Sequence, residues 1–208
     1  MRNAENIQSL LALKPDFVGF IFYNKSVRYV SEFPQINFPK EIKKVGVFVN
    51  EEISEVLNKV HNFQLDCIQL HGSETPEYCT ELKKCHLKRS KKIKSEPHQI
   101  NIIKAFSINE NFDFSNTQPY EKYCDYFLFD TKTDKYGGSG KKFNWELLQK
   151  YKGLTPFLLS GGISKEDALK IKNIEHSAFV GVDINSGFEI EPAMKNINDI
   201  KEFKYKLL

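Results

Sequence analysis

The sequence lacks both a long run of apolar residues and a large excess of charge of either sign. No stretch of its 208 residues approaches the roughly 20 apolar residues that a membrane-spanning helix needs, and its first ten residues, MRNAENIQSL, contain no apolar signal core. The formal net charge of +3 is small for this length, which argues against a surface dedicated to nucleic acid. We therefore predict a cytoplasmic protein whose partner is neither a membrane nor a nucleic acid.

Cysteine is scarce, and its spacing argues against the common thiol sites. The four cysteines are Cys67, Cys79, Cys85 and Cys124. No two of them form the C-x-x-C pair typical of zinc sites and redox dithiols. We expect buried or incidental thiols in a reducing compartment, and no metal site.

Short apolar runs alternate with polar segments along the whole chain. The runs are rich in Val, Ile and Phe, and they occupy residues 17–23, 45–49, 67–71, 101–106, 126–131, 156–162 and 178–185. Their nearly continuous hydrophobicity is typical of strands covered on both faces of a parallel sheet or barrel. The segments between them have helical spacing, and Ser164 is a candidate N-cap with Asp167 three residues later. This order predicts right-handed βαβ units in one domain over residues 1–208.

A leading helix and seven strands are one strand short of an eight-fold barrel. A (β/α)₈ TIM barrel usually needs about 250 residues, with about 200 as the lower end, so 208 residues suffice for a compact one. We expect a (β/α)₈ TIM barrel in which strand 1 is absent from this chain and strands 2–8 are present. A doubly wound open sheet is the alternative.

The segment 83–94 is rich in lysine. We predict that it is the main irregular segment of the chain, forming a solvated loop or a solvated helix face. A site for an acidic partner is the alternative interpretation, and no other feature of the sequence supports it.

In parallel barrels the reactive residues lie at the carboxyl ends of the strands. Asp130 ends one predicted strand and is a candidate general acid or base, or alternatively an aspartate that anchors a loop. Gln69 and His71 alternate on one face of the run CIQLH, so both are expected to point into the barrel mouth, although a structural role for the histidine stays open. Arg28 follows the first run, where its guanidinium can bind a carboxylate or a phosphate or simply lie at the surface.

Two glycine motifs follow the last two predicted strands. The first contains Gly161 and Gly162, and the second contains Ser186 and Gly187. The loops after strands seven and eight of such barrels often bind phosphate through backbone N–H groups. The pair therefore predicts a phosphate site, although either motif alone would also suit a plain turn. A third glycine-rich stretch lacks the spacing of a P-loop and is interpreted as a lid loop: Gly137, Gly138, Ser139 and Gly140.

Seven blocks in a fixed order make the chain similar to the phosphoribosylanthranilate isomerases along nearly its whole length. The blocks are residues 1–3, 18–23 with 25–29, 45–50, 68–72, 130–145, 159–163 and 182–189. The combination of Q-L-H-G, D-T-K followed by G-G-S-G-K, and S-G-G is specific to this family among phosphate-binding barrels.

The resemblance implies an Amadori rearrangement of N-(5-phosphoribosyl)anthranilate to 1-(2-carboxyphenylamino)-1-deoxyribulose 5-phosphate in tryptophan biosynthesis, without cofactor or metal. It implies that Asp130 is the general acid and that Arg28 holds the anthranilate carboxylate. The implied phosphate ligands are Gly161, Gly162, Ser186 and Gly187. The implied lining of the barrel mouth is Gln69, His71 and Asp183. The expected partner is a phosphorylated small molecule, and a monomer and a homodimer both stay open.

The front of the chain departs from the family pattern. Family members begin with a strand that ends in a Lys-hydrophobic-Cys-Gly motif, followed by Met-Arg-Asn or a near variant, which matches Met1, Arg2 and Asn3. The catalytic cysteine would precede Met1, and none of the four cysteines replaces it, so we expect the 208-residue form to be impaired. A non-catalytic barrel that binds phosphorylated ligands is the alternative. An indole-3-glycerol-phosphate synthase and an interaction protein using the lysine-rich segment are further alternatives.

Overall fold

Seven parallel strands form one sheet in the computed structural model, which describes residues 1–93, 100–132 and 142–208. The strands are β1 Phe17–Ile21, β2 Lys43–Phe48, β3 Cys67–Leu70, β4 Asn101–Ile108, β5 Tyr126–Thr131, β6 Phe157–Leu159 and β7 Phe179–Val182. Each strand pairs with the next one along the chain. The seven predicted strands are therefore confirmed, and their sequential order is that of a barrel and not of a doubly wound sheet. The expected absence of the barrel's first strand from this chain stays a prediction.

Helices and short 3-10 turns connect the strands. The helices are α1 Ala4–Leu11, α2 Ile53–Phe63, α3 Pro76–Ile93, α4 Ala168–Lys172 and α5 Ile197–Leu207. The predicted cap at Ser164 is confirmed, because its backbone N–H donates to Asp167 Oδ2 at 2.7 Å in a capping box. Of the helices in the described ranges, none has the length and apolarity that a membrane crossing requires.

The lysine-rich segment is helical over residues 83–93, so of its two predicted forms the helix is confirmed there and the irregular loop is wrong, while residue 94 lies outside the described ranges. Lysine has a high helix propensity, and neither glycine nor proline interrupts α3 after its first residue. Cys79 and Leu82 are fully buried on one face of the helix. Burial of that face, together with the propensity of the lysines, accounts for a continuous helix.

The strands in the middle of the sheet are covered on both faces, as their hydrophobicity predicted, whereas Val180 of β7 is 54% exposed. One core lies between the sheet and the helices and contains Phe127 and Phe129 of β5. The intervening Leu128 belongs to a second core on the opposite face. The other buried members of this second core are Val45, Cys67, Ile103, Ala105 and Leu158.

Side-chain hydrogen bonds join the two ends of the row of strands. No backbone pairing connects β7 to β1 within the described ranges. After β7 the chain forms a short antiparallel hairpin that the sequence did not predict, with strands β8 Glu189–Glu191 and β9 Met194–Lys195. The Asn6 amide in α1 donates to Lys195 O at 2.8 Å and accepts from Lys195 N at 2.8 Å. This exchange fixes the hairpin against the helix that precedes β1.

Candidate active site

Three polar side chains form a chain of contacts at the carboxyl ends of β3 and β5. His71 Nε2 lies 3.2 Å from Asp130 Oδ2, and His71 Nδ1 lies 3.0 Å from Gln69 Nε2. With the Gln69 amide nitrogen facing Nδ1, the neutral imidazole carries its proton on Nε2, which faces the carboxylate. The structure thus brings together three of the residues that the sequence placed at the barrel mouth.

Asp183 adds a second carboxyl group to this end of the sheet. It follows β7, and Ser160 Oγ donates to its Oδ2 at 3.4 Å. Burial, and then the nearby charge of Asp130, raises the pKa of Asp183, while the charge of Lys195 acts in the opposite direction. A carboxyl group with a raised pKa keeps its proton at a pH at which other carboxyl groups have lost theirs, which suits acid–base chemistry.

The loop after β6 lies directly against the end of β5 because residue 161 is glycine. Gly161 has φ +92°, and an added Cβ would lie 2.3 Å from Thr131 Oγ1 and 2.6 Å from Asp130 Oδ1. No residue with a side chain fits this conformation and this approach. The glycine motif after β6 is therefore held in contact with the strand that carries Asp130.

The second glycine motif packs on the first. Ser186 and Gly187 belong to a 3-10 turn that follows β7, and an added Cβ on Gly187 would lie 2.1 Å from the Ile163 carbonyl oxygen. The loops after β6 and β7 therefore meet backbone to backbone. Gly162, between them, has φ +66°.

Arg28, in the segment that follows β1, binds a carboxylate of this chain. Its Nε lies 3.1 Å and 2.8 Å from the two carboxylate oxygens of Glu189, and its Nη2 lies 2.7 Å from Oε2. This is the fork geometry expected of Arg28, with Glu189 at the first strand of the hairpin as the acceptor.

Lys195 completes this buried group of charges. Its Nζ donates to Glu189 Oε1 at 3.2 Å, to Asn185 Oδ1 at 2.7 Å and to Asn185 O at 3.0 Å. Burial alone would raise the pKa of Glu189, but the hydrogen bond from Arg28 and the charge of Lys195 outweigh it and lower that pKa. Burial lowers the pKa of Lys195, and the charge of Glu189 opposes that effect.

A buried ion pair anchors the loop that carries His71. Lys104 Nζ lies 3.1 Å from Glu74 Oε2 and donates to Gly72 O at 2.8 Å. Glu74 in turn accepts from the backbone N–H groups of Gly72 and Asn50. Because both charged side chains are at most 3% exposed, the pair ties the loop after β3 firmly to β4 and to the loop after β2.

The sequence did not predict every side chain of the site, and the structure leaves one predicted feature undescribed. The lid loop at 137–140 is outside the described residues. Lys104 had a detectable signal, since it is a lysine in the middle of the apolar run NIIKAF. Glu189 and Lys195 gave no signal of burial, because charged residues are mostly solvent-exposed.

Parallel βα units in barrel order, with ionisable side chains gathered at the carboxyl ends of the strands, define a barrel enzyme of the (β/α)₈ class. The family model described as N-(5'phosphoribosyl)anthranilate (PRA) isomerase matches residues 1–206. The chain therefore belongs to the family of the N-(5'-phosphoribosyl)anthranilate isomerases, enzymes of tryptophan biosynthesis.

Individual relatives agree with this assignment. The chain is 46% identical to the N-(5'-phosphoribosyl)anthranilate isomerase of Parabacteroides distasonis, over 100% of this chain and 90% of that protein. The crystal structure of phosphoribosyl anthranilate isomerase from Thermotoga maritima matches with a TM-score of 0.79 and 31% identity, over 100% of this chain and 95% of that one. A phosphoribosyl anthranilate isomerase in complex with reduced 1-(o-carboxyphenylamino)-1-deoxyribulose 5-phosphate matches with a TM-score of 0.76 and 28% identity, over 100% and 94%.

Proposed function

We propose that this chain catalyses the Amadori rearrangement of N-(5'-phosphoribosyl)anthranilate to 1-(2-carboxyphenylamino)-1-deoxyribulose 5-phosphate in the cytoplasm. The observation that carries the proposal is the contact between His71 and Asp130 at the carboxyl ends of the strands, beside the two glycine loops. Family membership supplies the substrate, and the site supplies a proton donor where the substrate would lie.

In the first step, Asp130 in its acid form protonates the furanose ring oxygen. The bond between that oxygen and C1′ breaks as the anilino nitrogen forms a Schiff base, so the ring opens. The carboxylate left on Asp130 is stabilised by the His71 Nε2–H at Oδ2 and by the Thr131 N–H at Oδ1, 2.8 Å away. Hydrogen bonds to the charged form favour release of the proton. A base then removes the proton from C2′, and the resulting enolamine tautomerises to the ketone.

The ends of the substrate would bind on either side of Asp130. Arg28 binds the anthranilate carboxylate, and backbone N–H groups of the two glycine loops bind the phosphate through Gly161, Gly162, Ser186 and Gly187. Gln69 and Asp183 line the space between. A relative of 28% identity was crystallised with a reduced product that carries both a carboxylate and a phosphate, which supports this assignment.

We propose further that the 208-residue chain turns over slowly, because none of its cysteines lies at the carboxyl ends of the strands. Cys67 is the first residue of β3, at the opposite end, and Cys124 precedes β5. Cys79 and Cys85 belong to α3. Loss of a general base typically lowers the rate by about 10²–10⁴-fold.

The loss of phosphoribosylanthranilate fluorescence tests both proposals. We expect little turnover by the 208-residue chain and substantial turnover when a strand ending in the family's Lys-hydrophobic-Cys-Gly motif is fused before Met1. The same fusion with serine in place of that cysteine is the matched control and should stay slow. Rapid turnover by the unfused chain would contradict the impairment but not the reaction. Tight binding of the reduced product without turnover by any form would indicate a non-catalytic binding barrel.

A further inference from the structure

The guanidinium of Arg28 is fixed along one edge by a carboxylate of its own chain. Three N···O distances between 2.7 and 3.1 Å join Nε and Nη2 to Glu189. The Arg28 side chain is 12% exposed and that of Glu189 is 4% exposed. The pair is therefore largely buried, and the guanidinium is the more accessible partner.

Glu189 is itself held in place by several contacts. Its Oε1 accepts from Lys195 Nζ at 3.2 Å and from the Ala193 backbone N–H at 3.2 Å. The hairpin that carries both residues is fixed by the hydrogen bonds between Asn6 and the Lys195 backbone. The carboxylate is thus a rigid acceptor and not a mobile surface group.

The charges of Arg28, Glu189 and Lys195 do not cancel one another. Glu189 faces two cations, Arg28 and Lys195, and one carboxylate cannot neutralise both. Lys195 also lies within range of the Asp183 carboxyl, which favours its charged form. Because Lys195 offsets the negative charge of Glu189, Arg28 keeps an attraction for a further anion.

Arginine has five N–H donors in a planar fork, and each edge can bind one carboxylate. Glu189 occupies the edge formed by Nε and Nη2. Among the described residues, no partner lies at Nη1, so the edge formed by Nη1 and Nη2 is open.

We infer that Glu189 is a positioning residue, which holds one edge of Arg28 so that the opposite edge faces the carboxylate of the substrate, while Lys195 prevents Glu189 from repelling that carboxylate. This inference rests on the proposed function, in which Arg28 binds the anthranilate carboxylate. Without Glu189, the long side chain of Arg28 would become hydrated and sample several rotamers, and it would have to be ordered each time a ligand bound.

Two ligands that differ by one carboxylate distinguish a positioning role of Glu189 from a role in folding. The first is reduced 1-(o-carboxyphenylamino)-1-deoxyribulose 5-phosphate, and the second is the same compound without the ring carboxylate. We expect wild type to bind the first more tightly by roughly tenfold or more, measured by titration calorimetry. Glu189→Gln should reduce this ratio to about two or less while affinity for the second ligand changes by less than about twofold.

A second variant keeps the test valid if Glu189→Gln folds poorly. Glu189→Gln combined with Lys195→Met removes the anion together with one buried cation, so the loss of charge balance is smaller. We expect the double variant to show the same low ratio. Glu202→Gln is the matched control, because its carboxylate pairs with Lys206 at the exposed surface of α5, and it should keep the ratio of wild type.

Each remaining outcome overturns the inference in a recognisable way. If Glu189→Gln weakens both ligands equally, Glu189 only maintains the hairpin. If the double variant regains the ratio of wild type, Glu189 only balances the charge of Lys195. If wild type binds both ligands with equal affinity, Arg28 does not recognise the carboxylate. If wild type binds neither ligand, the proposed function itself fails.

Discussion

His71 and Asp130 are in contact although a whole strand lies between the strands that carry them. Nε2 of His71, just after β3, is 3.2 Å from Oδ2 of Asp130 in β5, and β4 pairs with both of these strands. In a flat sheet two strands separated by a third lie about 10 Å apart. Side chains reaching inward from a curved row of strands can meet across such a distance, which is how a barrel mouth concentrates groups from several strands.

In the protein fused to the strand that ends in the family's Lys-hydrophobic-Cys-Gly motif, Asp130→Asn is expected to lower kcat by about 10²-fold or more. The reason is that the amide cannot protonate the ring oxygen. Affinity for the reduced product should change by less than about threefold, since that ligand requires no proton transfer. Fluorescence turnover and titration calorimetry measure the two quantities. Asp125→Asn is the control, because Asp125 lies at the opposite end of β5 and accepts from the Ile102 N–H. Equal losses in both variants would contradict the assignment of Asp130.

His71→Asn is expected to lower kcat by about 10-fold, the effect of losing one hydrogen bond to a charged group. The substitution removes the Nε2 donor 3.2 Å from Asp130 and leaves the acid itself in place. KM should stay within about twofold, because the contact acts on the proton donor. Steady-state kinetics separate these parameters, and a rise in KM with unchanged kcat would show that His71 binds substrate instead.

Asp183→Asn is expected to raise the free energy of unfolding at neutral pH. The pKa of Asp183 is raised in the folded protein, so ionisation costs stability as pH rises through the folded value. Below the ordinary value of 3.8 the carboxyl is protonated in both states, and the advantage of asparagine should vanish. Urea unfolding at pH 7 should show a gain of about 0.5–2 kcal/mol, the range usual for single stabilising substitutions.

The control for this experiment is Asp16→Asn, which changes an exposed carboxyl before β1. Its effect should stay within about 0.5 kcal/mol at both pH values. A loss of stability for Asp183→Asn at pH 7 would mean that the ionised carboxylate is stabilised in the fold, contrary to the direction of its pKa.

Gly187→Ala is expected to destabilise the protein by about 1–3 kcal/mol and to weaken binding of the reduced product. The new Cβ would lie 2.1 Å from the Ile163 carbonyl oxygen, so the two glycine loops must separate. Gly19→Ala is the matched control, because its nearest contact is Val47 Cγ2 at 3.9 Å. Urea unfolding and calorimetry check both effects, and unchanged affinity for Gly187→Ala would argue against phosphate binding by these loops.

Lys104→Met is expected to lower the free energy of unfolding by about 3–5 kcal/mol, because it leaves the carboxylate of Glu74 buried without its cation. The combined change of Lys104→Met and Glu74→Gln should recover part of this loss, since no buried charge remains. A double-mutant cycle in urea measures the coupling. Strictly additive effects would show that the two side chains act independently despite their separation of 3.1 Å.

The number, order and direction of the strands could be predicted because each apolar run is short and nearly continuous in its hydrophobicity, as in the strands of a parallel sheet. The ends of those runs then located Asp130, His71 and Gln69, since parallel strands place their carboxyl ends at one edge of the sheet. The meeting of the two glycine loops followed from their position after consecutive strands, and φ +92° at Gly161 supplies the physical reason for a glycine there.

Contacts between distant parts of the chain could not be predicted from one sequence. Arg28 and Glu189 are 161 residues apart, and no local pattern connects them. The choice between a loop and a helix for the lysine-rich segment stayed open because its charges indicate only solvation, whereas buried Cys79 and Leu82 fix one face of α3. The β8–β9 hairpin is too short for periodicity to reveal it.

The sequential order of the strands has a consequence for folding during synthesis on the ribosome. Each described pairing in the large sheet joins a strand to the one made just before it, so a chain leaving the ribosome can extend its sheet strand by strand with little loop-closure entropy. The contacts of Asn6 with Lys195 and of Arg28 with Glu189 span 189 and 161 residues. They form only after the β8–β9 hairpin has been made, so the side of the mouth that contains Arg28 matures later than the sheet.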